Sequence, residues 1–348
     1  MPATLPTTDC QLLNVAQIGV GGYGGFRRAR LRETGLFRLK AVYDINPKAI
    51  ESAVKEDGAA VAESYEALLD TPGIEAVIIS TGAKFHAEQI TAAAERGLHI
   101  FCEKPLCSTM EEIETILEAQ RKHGVVIGLG HMDHAHCAVS RTTKALIDEG
   151  ELGTIAAIEK TTAHSGGFHI KPGDWRGDPA KNPGGMLFQC GVHAAHELMY
   201  YFGPISAVSA CMRYDVHTTQ TADVALCHLV FESGLIGTLN AYHVTAYRHT
   251  FSIYGTKASL HRNERYFEEG TLLHKQPLNP TGGPEPLEAV QLRFEDDNCG
   301  NVRSFHQAVC GGGEPYPSVR DGARAVAVVF AAEESVKNGG GFVKVPSF

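Results

Sequence analysis

Long apolar runs are missing from this chain. None approaches the roughly 18 consecutive apolar residues that a membrane-spanning helix needs, so no membrane span is expected. Basic runs are missing as well. The formal net charge is -9 and no basic stretch exceeds a few residues, which argues against nucleic acid as a main partner. The opening stretch, MPATLPTTDCQ, has neither the basic nor the apolar region of a secretory signal, and a cytoplasmic location is the expectation. Internal repeats and low-complexity tracts are absent. Cysteine shows no paired spacing: there are nine, an odd number, and CEKPLC sets two of them five apart, which is neither a zinc-knuckle nor a redox CxxC spacing. Reduced thiols, most of them small core residues, are the expectation. Tryptophan occurs once, as Trp175.

What remains is ample for folding. The chain has 348 residues, 43% hydrophobic and 20% charged, enough for two domains with separate cores. The stretch LLNVAQIGVGGYGG reads as an apolar strand breaking into Gly19-x-Gly21-x-x-Gly24, and FRRARLRE continues it as a helix. An acid follows about 20 residues on, Asp44 at the end of the strand RLKAVYD, as a dinucleotide site requires. The glycines permit a tight turn and a close approach of backbone to pyrophosphate at the helix N-terminus. The expected cradle is Gly19, Gly21, Gly22, Tyr23 and Gly24, with Asp44 accepting from the adenosine ribose. A 2′-phosphate there would meet a carboxylate followed by Ile45 and Asn46, so NAD is expected over NADP.

Strand and helix patterns then alternate through IEAVIIS, KFHAEQITAAAERG, LHIFCE, STMEEIETILEAQRKHG and VVIGLG, which implies a parallel, doubly wound sheet. A capping box from Ser108 to Glu111 and a stop at Gly124 bound the last helix. Ligands bind at the carboxyl ends of such strands. Thr81, His86 and Glu103-Lys104-Pro105 stand at or just beyond those ends. After Gly130 the pattern changes to a helix, a strand, a long polar glycine-rich loop, the helix MLFQCGVHAAHELMYYFG, and several strands of an antiparallel sheet. The expected fold is α/β: a Rossmann domain over 1–130, then an α+β domain over 131–348 with a mostly antiparallel open sheet. The group His131, Asp133, His134 and His136 has metal-ligand chemistry. It follows the sixth strand, a substrate-facing place, so no metal is expected there.

The markers GVGGYG, STGAKFHAEQI, CEKPLC and NPGGMLFQCGVHAAHELMYYFG resemble the Gfo/Idh/MocA oxidoreductase family, over essentially the whole chain. The resemblance implies an NAD(P)-dependent dehydrogenase acting on a hydroxyl or ketone of a sugar, sugar derivative or cyclitol. It makes Lys104 the active-site lysine, with Pro105 often in a cis peptide, and His193 its catalytic companion. Glu103 would hold the lysine or touch the nicotinamide ribose, with Thr81 and His86 also toward the cofactor. His131, His164, Trp175, Arg176 and Gln189 would contact substrate beside Lys104 and His193. The family commonly has aspartate where Gln189 stands, often aspartate where His196 stands, and proline where Gly82 stands. Gln189 and His193, four apart on one helix, would share a face. The second domain is expected to pair with other copies, as a homodimer or homotetramer, through its sheet. Two other functions fit the same residues: glycoside cleavage through transient oxidation and elimination, and a non-catalytic sugar sensor.

Overall fold

The computed structural model describes residues 12–217, 219–264 and 272–348. The reading of the stretch MPATLPTTDCQ lies outside them. No helix among the described residues is long and apolar enough to cross a membrane.

The chain runs β1 (Leu13–Ile18), α1 (Tyr23–Thr34), β2 (Phe37–Tyr43), α2 (Pro47–Asp57), β3 (Ala60–Val61), α3 (Tyr65–Leu69), β4 (Ala76–Ile79), α4 (His86–Glu95), β5 (His99–Cys102), α5 (Met110–His123) and β6 (Ile127–Leu129). These six strands form one sheet in the order β3-β2-β1-β4-β5-β6. All its pairings are parallel. This is the doubly wound order, and it reverses between β1 and β4, where such sheets open a crevice at their carboxyl ends. β4 is buried along its whole length, as a central strand covered on both faces must be.

The capping box of α5 falls one residue later than expected, at Thr109 and Glu112. Ser-Thr and Glu-Glu offer both registers. In the later one a single Glu112 oxygen accepts from Ser108 N at 2.7 Å and Thr109 N at 3.1 Å, so two amides are satisfied at once.

The chain continues through α6 (Ala138–Asp148), β7 (Ile155–Ala163), a loop with two 3₁₀ turns (Gly166–His169 and Trp175–Gly177), and a π turn (Leu187–Gly191) that runs into α7 (Val192–Phe202). Then come β8 (Ile205–Arg213), β9 (Val224–Phe231), β10 (Ile236–Tyr242), β11 (Arg248–Gly255), β12 (Ala258–Glu264), β13 (Leu272–Pro277), β14 (Glu288–Ala289), α8 (Gly300–Gly311), α9 (Val319–Lys337) and β15 (Val343–Lys344). Nine of these strands form a second sheet, β14-β13-β12-β11-β7-β10-β9-β8-β15. Its pairings are antiparallel except that of β7 with β10.

The units do not divide at a single boundary after Gly130. The first runs to Asp133 and takes in Asp297–Gly322; the second holds His134–Asp296 and Ala323–Phe348. The reason is packing: Val302 and Phe305 of α8 are fully buried in one core with Leu13, Val15, Ile78 and Phe101. Seven described cysteines are free thiols, and Cys211 is exposed.

A buried carboxylate ties α7 to the second sheet. Glu197 accepts from Lys160 Nζ of β7 at 2.7 Å and from the Arg262 guanidinium of β12, with Tyr201 Oη at 3.4 Å. Glu197, Lys160 and Arg262 are all buried. Burial alone would raise the Glu197 carboxyl, but the two cations hold it well below the usual range. Removing one member of such a group leaves uncompensated charge inside the protein. Glu197→Ala is therefore expected to destabilise the second unit by about 3–5 kcal/mol, read as a lower denaturation midpoint in urea. A midpoint unchanged from wild type would show that the cations find water or other acceptors.

Candidate active site

In the first unit, the turn between β1 and α1 is shaped by glycine. Gly19 has φ +77°, and a Cβ on it would lie 2.6 Å from Ser80 O at the end of β4. A Cβ on Gly24 would lie 2.1 Å from Gly19 O, so no other residue fits there. Gly22 has φ +52° and caps α1 without a side-chain bond. Asp44, just past β2, accepts through Oδ2 from Val20 N at 2.7 Å and Gly21 N at 3.1 Å, and through Oδ1 from Asn46 N at 2.8 Å. The expected ribose acceptor thus also braces the turn from outside. Tyr23 is exposed, its ring 5.1 Å from that of Phe26.

Further along the same strand ends, Glu103 and Lys104 follow β5, and the Lys104–Pro105 peptide is cis. Lys104 is half-buried and Glu103 buried. The charged partner the structure gives Glu103 is Arg27 of α1, whose Nε donates to Oε1 at 2.7 Å. The Arg27 guanidinium lies 4.6 Å from the Phe101 ring centroid and bonds Asn301 at 3.3 Å. Arg27 escaped the sequence reading because it sits in a stretch of arginines, FRRARLRE, with nothing to single it out. The other Glu103 oxygen, Oε2, is buried without a hydrogen-bond partner among the described residues. A Cβ on Gly130 would stand 2.3 Å from that oxygen, which is why the strand after β5 must end in glycine.

His86 has a different place from the one expected. Its ring is completely buried. Nδ1 lies 3.0 Å from Pro105 O and 3.2 Å from Leu106 O, and Nε2 lies 3.1 Å from Thr81 O. With both nitrogens on carbonyls it ties the Lys104–Pro105 turn to the end of β4 and offers no atom to a nucleotide. Burial lowers its pKa. Thr81 is half-buried, and its hydroxyl donates to Gln89 Oε1 at 2.6 Å. Cys102 and Cys107 flank the turn as buried thiols whose pKa burial pushes up. His131, after β6, is buried and its carbonyl accepts from Asn301 at 3.3 Å.

An NAD group fits this edge on two observations. The turn closes on glycines at the N-terminus of α1 beside a carboxylate, and Glu103 keeps an unused buried acceptor.

In the second unit, His164 follows β7 directly and His243 follows β10 directly. β7 and β10 pair in parallel with Ala163 opposite Tyr242, so the two histidines leave the sheet side by side, ring centroids 5.0 Å apart. His164 Nδ1 accepts from Gly166 N at 2.8 Å, so the ring carries its proton on Nε2, 3.8 Å from Cys190 Sγ. A Cβ on Gly166 would clash with the ring at 2.5 Å. Burial lowers His164, and burial with the nearby His164, Arg176 and His217 charges lowers His243 to about 4. His243 was missed; the signal was there, a histidine directly after each of two strands, but not their parallel pairing.

Trp175 is 41% exposed. The Arg176 guanidinium lies 4.6 Å from its ring centroid. Asp174 Oδ1 accepts from Arg176 N at 3.0 Å, and the Arg176 carbonyl accepts from Asn182 at 2.7 Å and Thr221 at 3.0 Å. Loop residues thus hold this pair in place on the surface. Gln189 and His193 are both half-buried; Gln189 lies in the π turn, which ends at Gly191, and His193 lies in the first turn of α7.

His134 is buried with Nδ1 3.0 Å from Ser140 Oγ, and burial lowers it to about 3. Among the described residues no three His, Cys, Asp or Glu side chains are arranged to hold a metal ion.

The depressed histidines make stability acid-sensitive. In the unfolded chain each takes a proton near its ordinary 6.5, while folded His243 resists until about pH 4. Stability from its neutral fit is complete above pH 6.5 and is lost as pH falls from there to about 4. His243 alone accounts for about 3 kcal/mol of that loss. A His243→Gln variant should therefore show a shallower fall of Tm between pH 6.5 and 4 than wild type. Parallel curves would mean that His243 titrates normally.

Residues 13–131 match the family described as an oxidoreductase family with an NAD-binding Rossmann fold, and residues 140–261 match the GFO/IDH/MocA C-terminal domain. The scyllo-inositol 2-dehydrogenase (NAD(+)) of Bacillus subtilis is 31% identical over 80% of this chain and 79% of its own. The 1,5-anhydro-D-fructose reductase of Ensifer adhaerens is 28% identical over 79% of this chain and 81% of its own. A levoglucosan dehydrogenase solved with NADH and levoglucosan superimposes with TM-score 0.84 at 24% identity, over 97% of this chain and all of its own, a likeness of fold.

Proposed function

We propose that this chain, which belongs to the Gfo/Idh/MocA family of NAD-binding oxidoreductases, oxidises or reduces a hydroxyl or ketone carbon of a sugar, sugar derivative or cyclitol. The observation that carries the reading is one sheet edge bearing both the glycine turn with Asp44 and the Glu103-Lys104-Pro105 turn. Bound NAD would supply the hydride acceptor or donor, held by Gly19–Gly24 and Asp44. Lys104 and His193 are assigned to the reacting hydroxyl, one of them taking its proton in the oxidising direction. Arg27 holds Glu103 in place beside the lysine. The neutral imidazoles of His164 and His243 offer hydrogen bonds to hydroxyls without a fixed charge. Trp175, with the Arg176 guanidinium over one side of its ring, presents its other side as an apolar face for a pyranose or cyclitol ring, and Gln189 is a further hydrogen-bonding contact.

The cofactor is NAD in preference to NADP. A 2′-phosphate at Asp44 would be repelled, and Ile45 and Asn46 beside it bring no compensating cation. Supporting a homodimer or homotetramer is the outer face of the second sheet, where Leu226 of β9 and Ile236 of β10 are 44% and 57% exposed.

The test of catalysis is turnover of sugars and inositols with NAD, following NADH. Lys104→Ala is expected to lower kcat by about two orders of magnitude or more while the NADH dissociation constant stays within about threefold. Near-native turnover in that variant would remove the lysine from the mechanism. For the cofactor, nicotinamide fluorescence should show NADH bound more tightly than NADPH. Asp44→Ala should weaken NADH, since the turn loses its brace, and narrow the ratio. Tighter binding of NADPH by wild type would overturn the assignment.

A further inference from the structure

The last turn of β1 contains a residue that packing alone does not call for. Gln17 is completely buried, between Ala16 and Ile18, in a strand covered on both faces. Such strands are ordinarily apolar throughout, and a buried amide is costly unless it is bonded. Gln17 has found a specific use. Its Nε2 donates to Gly19 O at 2.9 Å and to Gly24 O at 3.0 Å. These two carbonyls bracket the glycine turn, and the two N–H bonds of one amide match them one to one. The turn is folded so tightly that a Cβ on Gly24 would lie 3.2 Å from Gln17 Nε2. Two carbonyls brought together inside the protein need a donor, and Gln17 is the donor on the inner side. Asp44 supplies the matching acceptor on the outer side, for the amides of Val20 and Gly21. The amide's own oxygen, Oε1, is buried without a hydrogen-bond partner among the described residues. A methionine or leucine would avoid that cost but would leave the two turn carbonyls without this donor.

We propose that Gln17 is a positioning residue for the cofactor: it sets the shape of the Gly19–Gly24 turn so that the turn's amides meet the pyrophosphate of NAD. Gln17 touches no part of the cofactor itself. Its contribution is preorganisation, because the turn is held from both sides before any ligand arrives.

The experiment is Gln17→Met, which keeps length and apolar fit but has no donor. Binding of NADH is read by nicotinamide fluorescence, and ADP-ribose and adenosine are read as competitors. The expected result is a rise of about tenfold in the dissociation constants of NADH and ADP-ribose, both of which carry the pyrophosphate, with that of adenosine unchanged. Gln17→Glu adds a pH signature. Its ionised side chain faces two carbonyls and repels them, whereas its protonated form donates to one, so NADH affinity relative to wild type should recover as pH falls from 8 to 5. Dissociation constants for NADH within twofold of wild type in folded Gln17→Met would overturn the proposal. So would an equal loss for adenosine, which would mean a generally loosened domain. If Gln17→Met does not fold, the wild-type protein decides. The Gln17 side-chain amide protons should exchange slowly with solvent and more slowly still with NADH bound; exchange unaffected by NADH would reject the positioning role.

Discussion

The parallel pairing of β7 with β10 is the constraint from which the second unit follows. A parallel pair cannot be closed by a tight hairpin; the chain must travel back to the starting end of the sheet. Here the return takes in everything from His164 to Leu235: the 3₁₀ turns, the π turn, α7, β8 and β9. Almost all the candidate substrate residues of this unit lie on that path. His164 begins it and His243 follows β10, and the two stand side by side because the parallel strands finish together. Trp175, Arg176, Gln189 and His193 lie between. The network around Glu197 pins the middle of the path to β7 and β12, which keeps α7 over the sheet.

The first unit reaches its geometry by crowding rather than by length of connection. Its glycines are demanded by what stands opposite them: Ser80 O for Gly19, Gly19 O for Gly24, the Glu103 carboxylate for Gly130. Between those close approaches run buried polar side chains that touch only protein. His86 lies against three carbonyls, and Arg27 fixes Glu103. These residues support groups that face the crevice and are themselves out of reach of it.

Such supports mark the limit of what was legible in the sequence. The doubly wound sheet, the glycine turn and Asp44 could be read because strand and helix periodicity and the turn chemistry are local. The Lys104–Pro105 turn could be read because it is a short, specific string. Arg27 could not, since its role depends on Glu103, 76 residues away. His86 was legible as important but not as a brace, because a pattern gives a position and not the direction in which a ring points. The second sheet was read as mostly antiparallel, and it is. Its one parallel pair escaped, since the partner strands are separated by two others in sequence. The π turn before His193 escaped for a similar reason: MLFQCG has the composition of an ordinary helix, and only Gly184-Gly185 ahead of it, both at positive φ, hint at an irregular start.

The thiols around the Lys104 turn carry a consequence for how this protein meets electrophiles. Cys102 and Cys107 lie within a few residues of the lysine, yet both are buried and both stay protonated, because ionisation is penalised there. Peroxide and alkylating reagents act on exposed thiolates, so the most sensitive-looking part of the chain is the most sheltered. Among the described residues Cys211 of β8, opposite Leu226 on the sheet face proposed to meet another copy, is the exposed thiol that such reagents reach in a free copy. A dye, spin label or oxidative lesion would therefore land on the second sheet, leaving the turn that presents the lysine chemically intact.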